Sequence, residues 1–183
     1  MAESKEESKL DLISRCIRPF PDFPSEGILF RDICPIMKSP AALTAVIDLF
    51  EQHVLECHPV VDLIVGIDAR GFLFGPLLAQ RLGVGFVMVR KKGKLPGPTV
   101  SVAYTLEYGT AEAEVQEDSV SPGQKVILID DLLATGGTLF AACELMKKLR
   151  AEVLGCLVVV SLKDLSGADK LKPHTVFPLI QFC

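Results

Sequence analysis

Apolar positions recur along the chain with two periods, and the switches between them divide it into elements. From Leu10 to Arg18, Leu10, Ile13 and Ile17 share one helical face, and Pro19 stops the helix. Residues 19–40, PFPDFPSEGILFRDICPIMKSP, hold five prolines among aromatic and aliphatic residues. Proline breaks both ladders and helices, so this segment is expected to be an ordered arm rather than a core element. It is too apolar for a disordered linker, and Phe20, Phe23, Ile28 and Phe30 need cover. Ser39–Pro40 supplies an N-cap and a first helical residue. Leu43, Val46, Ile47, Phe50 and Val54 then line one stripe until His58–Pro59 ends it.

Strands begin where the period changes. VDLIVGI (61–67) is a short β-branched run suited to a strand buried on both faces. After DARG (68–71) come a helix to Leu82, Gly83 and a second strand, GFVMVR (85–90). KKGKLPGP (91–98) is a basic loop. Val100, Val102, Tyr104 and Leu106, then Ala111, Ala113 and Val115, alternate with polar residues about Gly109, which predicts a two-stranded ribbon with a polar face. Ser121–Pro122–Gly123 is a turn, KVILID (125–130) a third buried strand, and Gly137 to Arg150 a helix with Leu139, Ala142, Cys143, Met146 and Leu149 inward. Gly155 to Leu162 and Val176 to Ile180 complete the strands. Strands alternating with helices of this length predict an α/β fold, a parallel sheet with helices on both faces. In such sheets ligands bind beyond the carboxyl ends of the strands. The 183 residues suit one domain with arms.

Composition narrows the chemistry. A net charge of -4 argues against a broad basic face for nucleic acid. Cys16, Cys34, Cys57, Cys143, Cys156 and Cys183 form no CxxC pair, and Cys143 and Cys156 fall in apolar periodic segments, as expected of small core residues in a reducing compartment. MAESKEESKLDL has no uninterrupted apolar stretch, so neither a signal peptide nor a membrane anchor is expected there, and the expected location is cytoplasmic. His53, His58 and His174 are scattered and make no metal set.

The chemistry concentrates in VILIDDLLATGGT, Val126 to Thr138. A buried strand carries Asp130 and Asp131 to the end of the sheet, and a six-residue loop is expected to lead into a helix. Thr135, Gly136, Gly137 and Thr138 can turn several backbone N–H groups and two hydroxyls toward one phosphate, with the helix N-terminus adding positive potential. There is no GxxxxGK[ST] loop, and Gly83-Val84-Gly85 follows a helix and precedes a strand, the reverse of a dinucleotide fingerprint.

Val126 to Thr138 resembles the signature of type I phosphoribosyltransferases, which binds phosphoribosyl pyrophosphate (PRPP). FPDFP (20–24), FRDI (30–33), ARGFLFGP (69–76), RKKGKLPGP (90–98), LEYG (106–109) and IDDLLATGGT (129–138) are together similar to the adenine-using members of that family, over nearly the whole chain. The resemblance implies transfer of the 5-phosphoribosyl group to adenine, giving AMP and pyrophosphate. Asp130 and Asp131 would hold the ribose hydroxyls, and Ala134, Thr135, Gly136, Gly137 and Thr138 the 5′-phosphate. Asp68, Ala69, Arg70 and Gly71 would form a pyrophosphate loop, often with a non-proline cis peptide, and Arg90, Lys91 and Lys94 would add cations. Residues 19–40 would be a hood, with Pro19 to Cys34 over the base and Leu29 and Arg31 touching it. Residues 99–117 would be a mobile lid, with Glu107 acting near the purine and Arg70 near the leaving group. Mg²⁺ would be held mainly by PRPP oxygens and water. Arg90 would reach a partner's site in a homodimer.

Two positions depart from the family pattern. Ala69 stands where relatives often have Ser, and Ser161 where an acidic residue is expected. Two other readings stay open: the same scaffold with another purine, and a catalytically silent PRPP-sensing protein. The second usually needs a nucleic-acid-reading module, and none is visible in the sequence.

Overall fold

The computed structural model describes residues 8–105 and 110–183. The first helix, α1 (Lys9–Arg15), starts where the Ser8 side chain accepts from the Asp11 N–H, and it buries Ile13. The proline-rich arm does form a ladder. β1 (Arg18–Pro21) pairs antiparallel with β2 (Leu29–Asp32), in register from Arg18↔Asp32 to Pro21↔Leu29. Proline tolerates this because only two strands meet here, so each needs donors on one side alone. A short helix, α2 (Cys34–Lys38), follows, with Pro35 in its first turn where a missing N–H costs nothing. Ser39 then caps α3 (Pro40–Cys57), as its sequence predicts, and Val46, Ile47, Phe50 and Val54 are buried.

The other strands, among the described residues, make one seven-stranded sheet. They are β3 (Leu63–Ile67), β4 (Gly85–Lys91), β5 (Thr99–Thr105), β6 (Thr110–Gln116), β7 (Lys125–Leu133), β8 (Glu152–Leu162) and β9 (Val176–Phe182), in the order β5-β6-β4-β3-β7-β8-β9. β4, β3, β7, β8 and β9 are parallel, and the most continuous apolar runs, β3, β7 and β8, lie in the middle. The ribbon β5–β6 is not a separate arm: β6 pairs antiparallel with β4 at Arg90↔Glu114 and Lys91↔Ala113. Helices cover both faces. α1, α2, α3 and α4 (Gly71–Leu82) bury one apolar cluster around Phe50, Phe74 and Ile127, and α5 (Gly137–Lys148) buries another around Leu128, Leu145 and Val158. α4 comes close to β3 and β4 because Phe86 lies over Gly66 and Gly75, where a Cβ would come within 2.5 and 2.3 Å of its ring. The sequence gives no hint of the turn at Lys163–Leu165 or of the four-residue α6 (Gly167–Lys170). No helix among the described residues is long and apolar enough to cross a membrane.

The hood aromatics are only partly covered. Phe20, Phe23, Ile28 and Leu29 remain exposed, while Phe23 meets Phe30 edge to face at 5.0 Å. What fixes the arm is Asp32. Its buried carboxylate accepts from Arg18 Nη2 at 2.5 Å, Arg18 Nε at 3.1 Å and the Cys34 N–H at 2.8 Å. The Cys34 thiol and N–H, helped by Arg18, hold its pKa down at about 2. An unfolded aspartate ionises near ~3.9, so this stabilisation is complete above about pH 4 and is lost as pH falls toward 2. Asp32→Asn should therefore lower Tm at neutral pH, by a margin that shrinks as the pH of the melts is brought down to about 3. A margin constant with pH would show that the ionised carboxylate does not hold the arm.

Candidate active site

β7 outruns its neighbour. Its last pair with β3 is Gly66↔Ile129, but it continues to Leu133 against β8. The sequence placed the strand end at Asp130; the actual loop before α5 is Ala134–Gly136, three residues rather than six. Asp130 and Asp131 thus sit on a strand whose β3 side is vacated, and strict alternation would send their side chains to opposite faces. The alternation slips at this point. Val126 and Leu128 pack in the α5 cluster and Ile127 and Ile129 in the other, whereas beyond the carboxylates Leu132 joins the second cluster and Leu133 the first. Both carboxylates line one cavity of about 390 Å³.

Residues 68–70, Lys91 and 130–139 line that cavity. The loop after β3 enters through a cis peptide at Asp68–Ala69, and Gly71 seats it: a Cβ there would come 2.5 Å from the Ile129 carbonyl. Arg70 Nε donates to Asp131 Oδ2 at 2.5 Å, and the Asp131 N–H donates to Asp130 Oδ1 at 2.8 Å. Burial, and then the neighbouring charge of Asp131, push the Asp130 pKa well up. On the other side, Gly136 at φ +79° turns the chain into α5, whose first N–H groups open on the cavity.

The remaining candidates are distributed around this hollow. Arg90 Nε donates to Asp68 Oδ2 at 3.2 Å, and its guanidinium lies 5.9 Å from the Phe72 ring. Arg90 lines a second hollow of about 340 Å³ beneath Tyr104, Ala111 and Ala113 of the ribbon, which shares Asp68, Lys91 and Thr138 with the first. Lys94 meets neither hollow with its side chain. Leu29 and Arg31 do not line the cavity; the Arg31 guanidinium lies 3.9 Å from the Phe182 ring, at the carboxyl end of β9. That is the same end of the sheet, on its β9 side. Glu107, with the rest of 106–109, lies outside the described residues. Ser161 is buried at Leu133↔Ser161↔Gln181, so a small side chain fills the place expected to be acidic. Among the described residues no three His, Cys, Asp or Glu side chains are grouped to hold a metal ion.

Glu114, not singled out by the sequence, organises the basic loop. It is 3% exposed, and its carboxylate accepts from the Lys94 N–H at 3.0 Å, the Leu95 N–H at 2.9 Å and the Thr99 hydroxyl at 3.4 Å. Burial raises its pKa, but the Leu95, Gly93 and Lys94 amides outweigh burial and leave it lowered.

The matches to known proteins are consistent from end to end. The family model for the phosphoribosyl transferase domain matches residues 35–180. The adenine phosphoribosyltransferase of Rattus norvegicus is 57% identical over 96% of this chain and 98% of its own. A solved adenine phosphoribosyltransferase from Saccharomyces cerevisiae, complexed with an imino-altritol bisphosphate and adenine, is 44% identical, covers 93% of this chain and 98% of its own, and superposes with TM-score 0.91. One from Giardia lamblia, complexed with 9-deazaadenine, is 37% identical, covers 97% and 99%, and gives 0.89.

Removing the Glu114 carboxylate should release the 93–95 loop. Glu114→Ala is expected to destabilise the fold by about 1–3 kcal/mol and to speed amide exchange at Lys94 and Leu95 selectively. Unchanged protection at those two amides would show that the loop is held by something else.

Proposed function

The chain belongs to the phosphoribosyl transferase family, and we propose that it transfers the 5-phosphoribosyl group of PRPP to adenine, giving AMP and pyrophosphate in purine salvage. The observation that carries this reading is one cavity bounded by an acidic strand end, a glycine-rich turn into a helix and an arginine-bearing loop. Those three walls suit the diol, the monophosphate and the diphosphate of one substrate.

In this reading Asp130 and Asp131 accept from the ribose hydroxyls. Asp130 has lost its water to burial, and burial, followed by the charge of Asp131, raises its pKa. A diol would supply what it lacks. The 134–138 turn and the N-terminus of α5 take the 5′-phosphate. Asp68, Ala69, Arg70 and Gly71 frame the diphosphate, with Arg90, Lys91 and Lys94 adding charge nearby. Asp131 already holds Arg70 at this edge, so the guanidinium stays in place as negative charge builds on the leaving diphosphate. Mg²⁺, when bound, would neutralise diphosphate charge; Asp68, Asp130 and Asp131 are the carboxylates that line this cavity, and a hard cation of this kind would keep substrate oxygens and water among its ligands. As the anomeric C–O bond breaks and its electron pair leaves with the diphosphate, adenine N9 forms the new C–N bond and its proton passes to the diphosphate or to solvent. Glu107, which falls between β5 and β6 in the sequence, would act near the purine as residues 99–117 close and exclude water.

The hood supports adenine as the base. β1 has prolines at 19 and 21, opposite Arg31 and Leu29. Proline donates no hydrogen bond, so the bonded pairs must be Arg18↔Asp32 and Phe20↔Phe30. The N–H and C=O groups of Leu29 and Arg31 consequently point away from β1, free to read a base edge. Fixed backbone groups that pair with adenine's exocyclic donor and N1 acceptor face like with like when hypoxanthine enters.

The experiment is turnover of purified protein with PRPP, Mg²⁺ and each purine. AMP should form, and kcat/KM for adenine should exceed that for hypoxanthine by roughly 10⁴-fold. Glu107→Leu should lower kcat far more than it raises KM for PRPP. Comparable values for the two purines would move the assignment to another base, and binding of PRPP without turnover would favour a PRPP sensor.

We further propose a cytoplasmic homodimer with Arg90 at the subunit boundary. Exposed Leu73, Leu77 and Met88 on α4 and β4 give an apolar surface beside it for a second copy to cover. Sedimentation velocity at micromolar concentration should show a dimer, and Arg90→Ala should impair activity. A monomer with full activity would exclude this arrangement.

A further inference from the structure

The 134–136 turn has a second wall that the reading above does not use. It comes from the end of β8, where the chain passes through Ser166 at φ +51° into α6. The two segments touch backbone to backbone. A Cβ on Gly167 would come 2.2 Å from the Ala134 carbonyl, and one on Gly136 would come 2.6 Å from the Gly167 carbonyl. Contact this close ties α6 to the turn, so whatever α6 carries is held at a fixed place beside the N-terminus of α5. What it carries there is Lys170, whose Nζ lies 3.9 Å from the position a Cβ on Gly137 would take, and 5.8 Å from the Phe140 ring.

Three other lysines are engaged. Lys172 is paired with Asp169 and Lys92 with Glu112, and Lys148 donates to the Ser101 carbonyl. Among the described residues no carboxylate is paired with Lys170. Its ammonium therefore stands uncommitted next to a helix N-terminus that already carries positive potential, an arrangement that disfavours the free protein and favours a bound anion. The turn itself offers only neutral donors; Arg70 and Lys91 line its cavity from the ends of β3 and β4, while Lys170 stands outside that lining, in a separate hollow of about 310 Å³ beside Phe140 and Lys147 of α5.

We propose that Lys170 is the cation of the 5′-phosphate subsite and that Gly167 is a positioning residue that holds it against the turn. This rests on the phosphoribosyl transfer reading. It adds a residue from a segment outside the Val126–Thr138 signature, and it makes monophosphate recognition depend on charge as well as on backbone donors.

The test separates the two ends of the substrate. Binding of ribose 5-phosphate and of inorganic pyrophosphate is measured by calorimetry for the wild type, Lys170→Met and Lys170→Arg. Lys170→Met should weaken ribose 5-phosphate about tenfold and flatten its salt dependence, while pyrophosphate affinity holds. Lys170→Arg should restore most of the loss. Gly167→Ala, which displaces the wall, should raise KM for PRPP with less effect on kcat at saturation. Unchanged ribose 5-phosphate affinity in Lys170→Met would overturn the proposal and leave the transfer reading intact. Equal weakening of both ligands would also overturn it, because the loss would then be general. A wild type that bound neither ligand would remove the transfer reading, and this inference with it.

Discussion

The active cavity depends on backbones that approach more closely than side chains would permit. Gly71 lies against the Ile129 carbonyl, and Gly136 and Gly167 lie against one another, at distances no Cβ could occupy. These two contacts draw three separate stretches of chain, after β3, β7 and β8, to a common point at the carboxyl end of the sheet. A methyl group at any of them would push a wall outward by the better part of an ångström. Polar groups meant to act on one small ligand tolerate little displacement of that kind. The helix dipole, the acidic strand end and the arginine loop can face one ligand only because their glycines let them converge.

Charge in the cavity follows from the same geometry. β7 runs four residues past its last pairing with β3, so Asp130 is buried by strand and loop rather than by water-facing chain. Its neighbour Asp131 is paired with Arg70, while Asp130 accepts from the Asp131 N–H and lies against the Asp131 carboxylate. The two carboxylates are therefore unequal despite being adjacent in sequence. Asp131 orients a cation, and Asp130 is left in need of donors. Proximity in sequence made them look like one unit; burial and partner choice divide the work between them.

Much of this is legible in the sequence. The apolar runs marked β3, β7 and β8 because strands buried on both faces need no alternation, and Ser39–Pro40 marked α3 because a cap and an N1 proline admit few other uses. The acidic pair and the glycine-rich turn were visible as chemistry. Other features were not, for definable reasons. The slip in alternation at Asp130–Asp131 depends on how β7 leaves β3, a tertiary event. Glu114 reads as one more polar residue of an alternating ribbon, indistinguishable from Glu112, until the 93–95 amides are seen to converge on it. α6 is four residues long, too short for any period to appear, and its importance lies in where β8 ends. The proline-rich arm departs from expectation for the opposite reason: proline is excluded from sheet interiors, and a two-stranded ladder has no interior.

On the proposed reading, specificity in that arm is written in residues that need not touch the base. Prolines 19 and 21 cannot donate, so they fix which pairs of the β1–β2 ladder are bonded and turn the polar edge of Leu29 and Arg31 outward. On the proposed reading that edge discriminates the base. A substitution of the Leu29 side chain would alter contact area and leave the donor and acceptor order unchanged. Loss of both prolines would let the ladder adopt the other bonding phase, and the edge that now faces out would be consumed within the arm. Asp32, which clamps one end of the ladder through Arg18 and Cys34, holds the register in which this phase has meaning. Discrimination between purines is then a property of how the arm is folded, and it should be more sensitive to Pro19, Pro21 and Asp32 than to the side chain of Leu29.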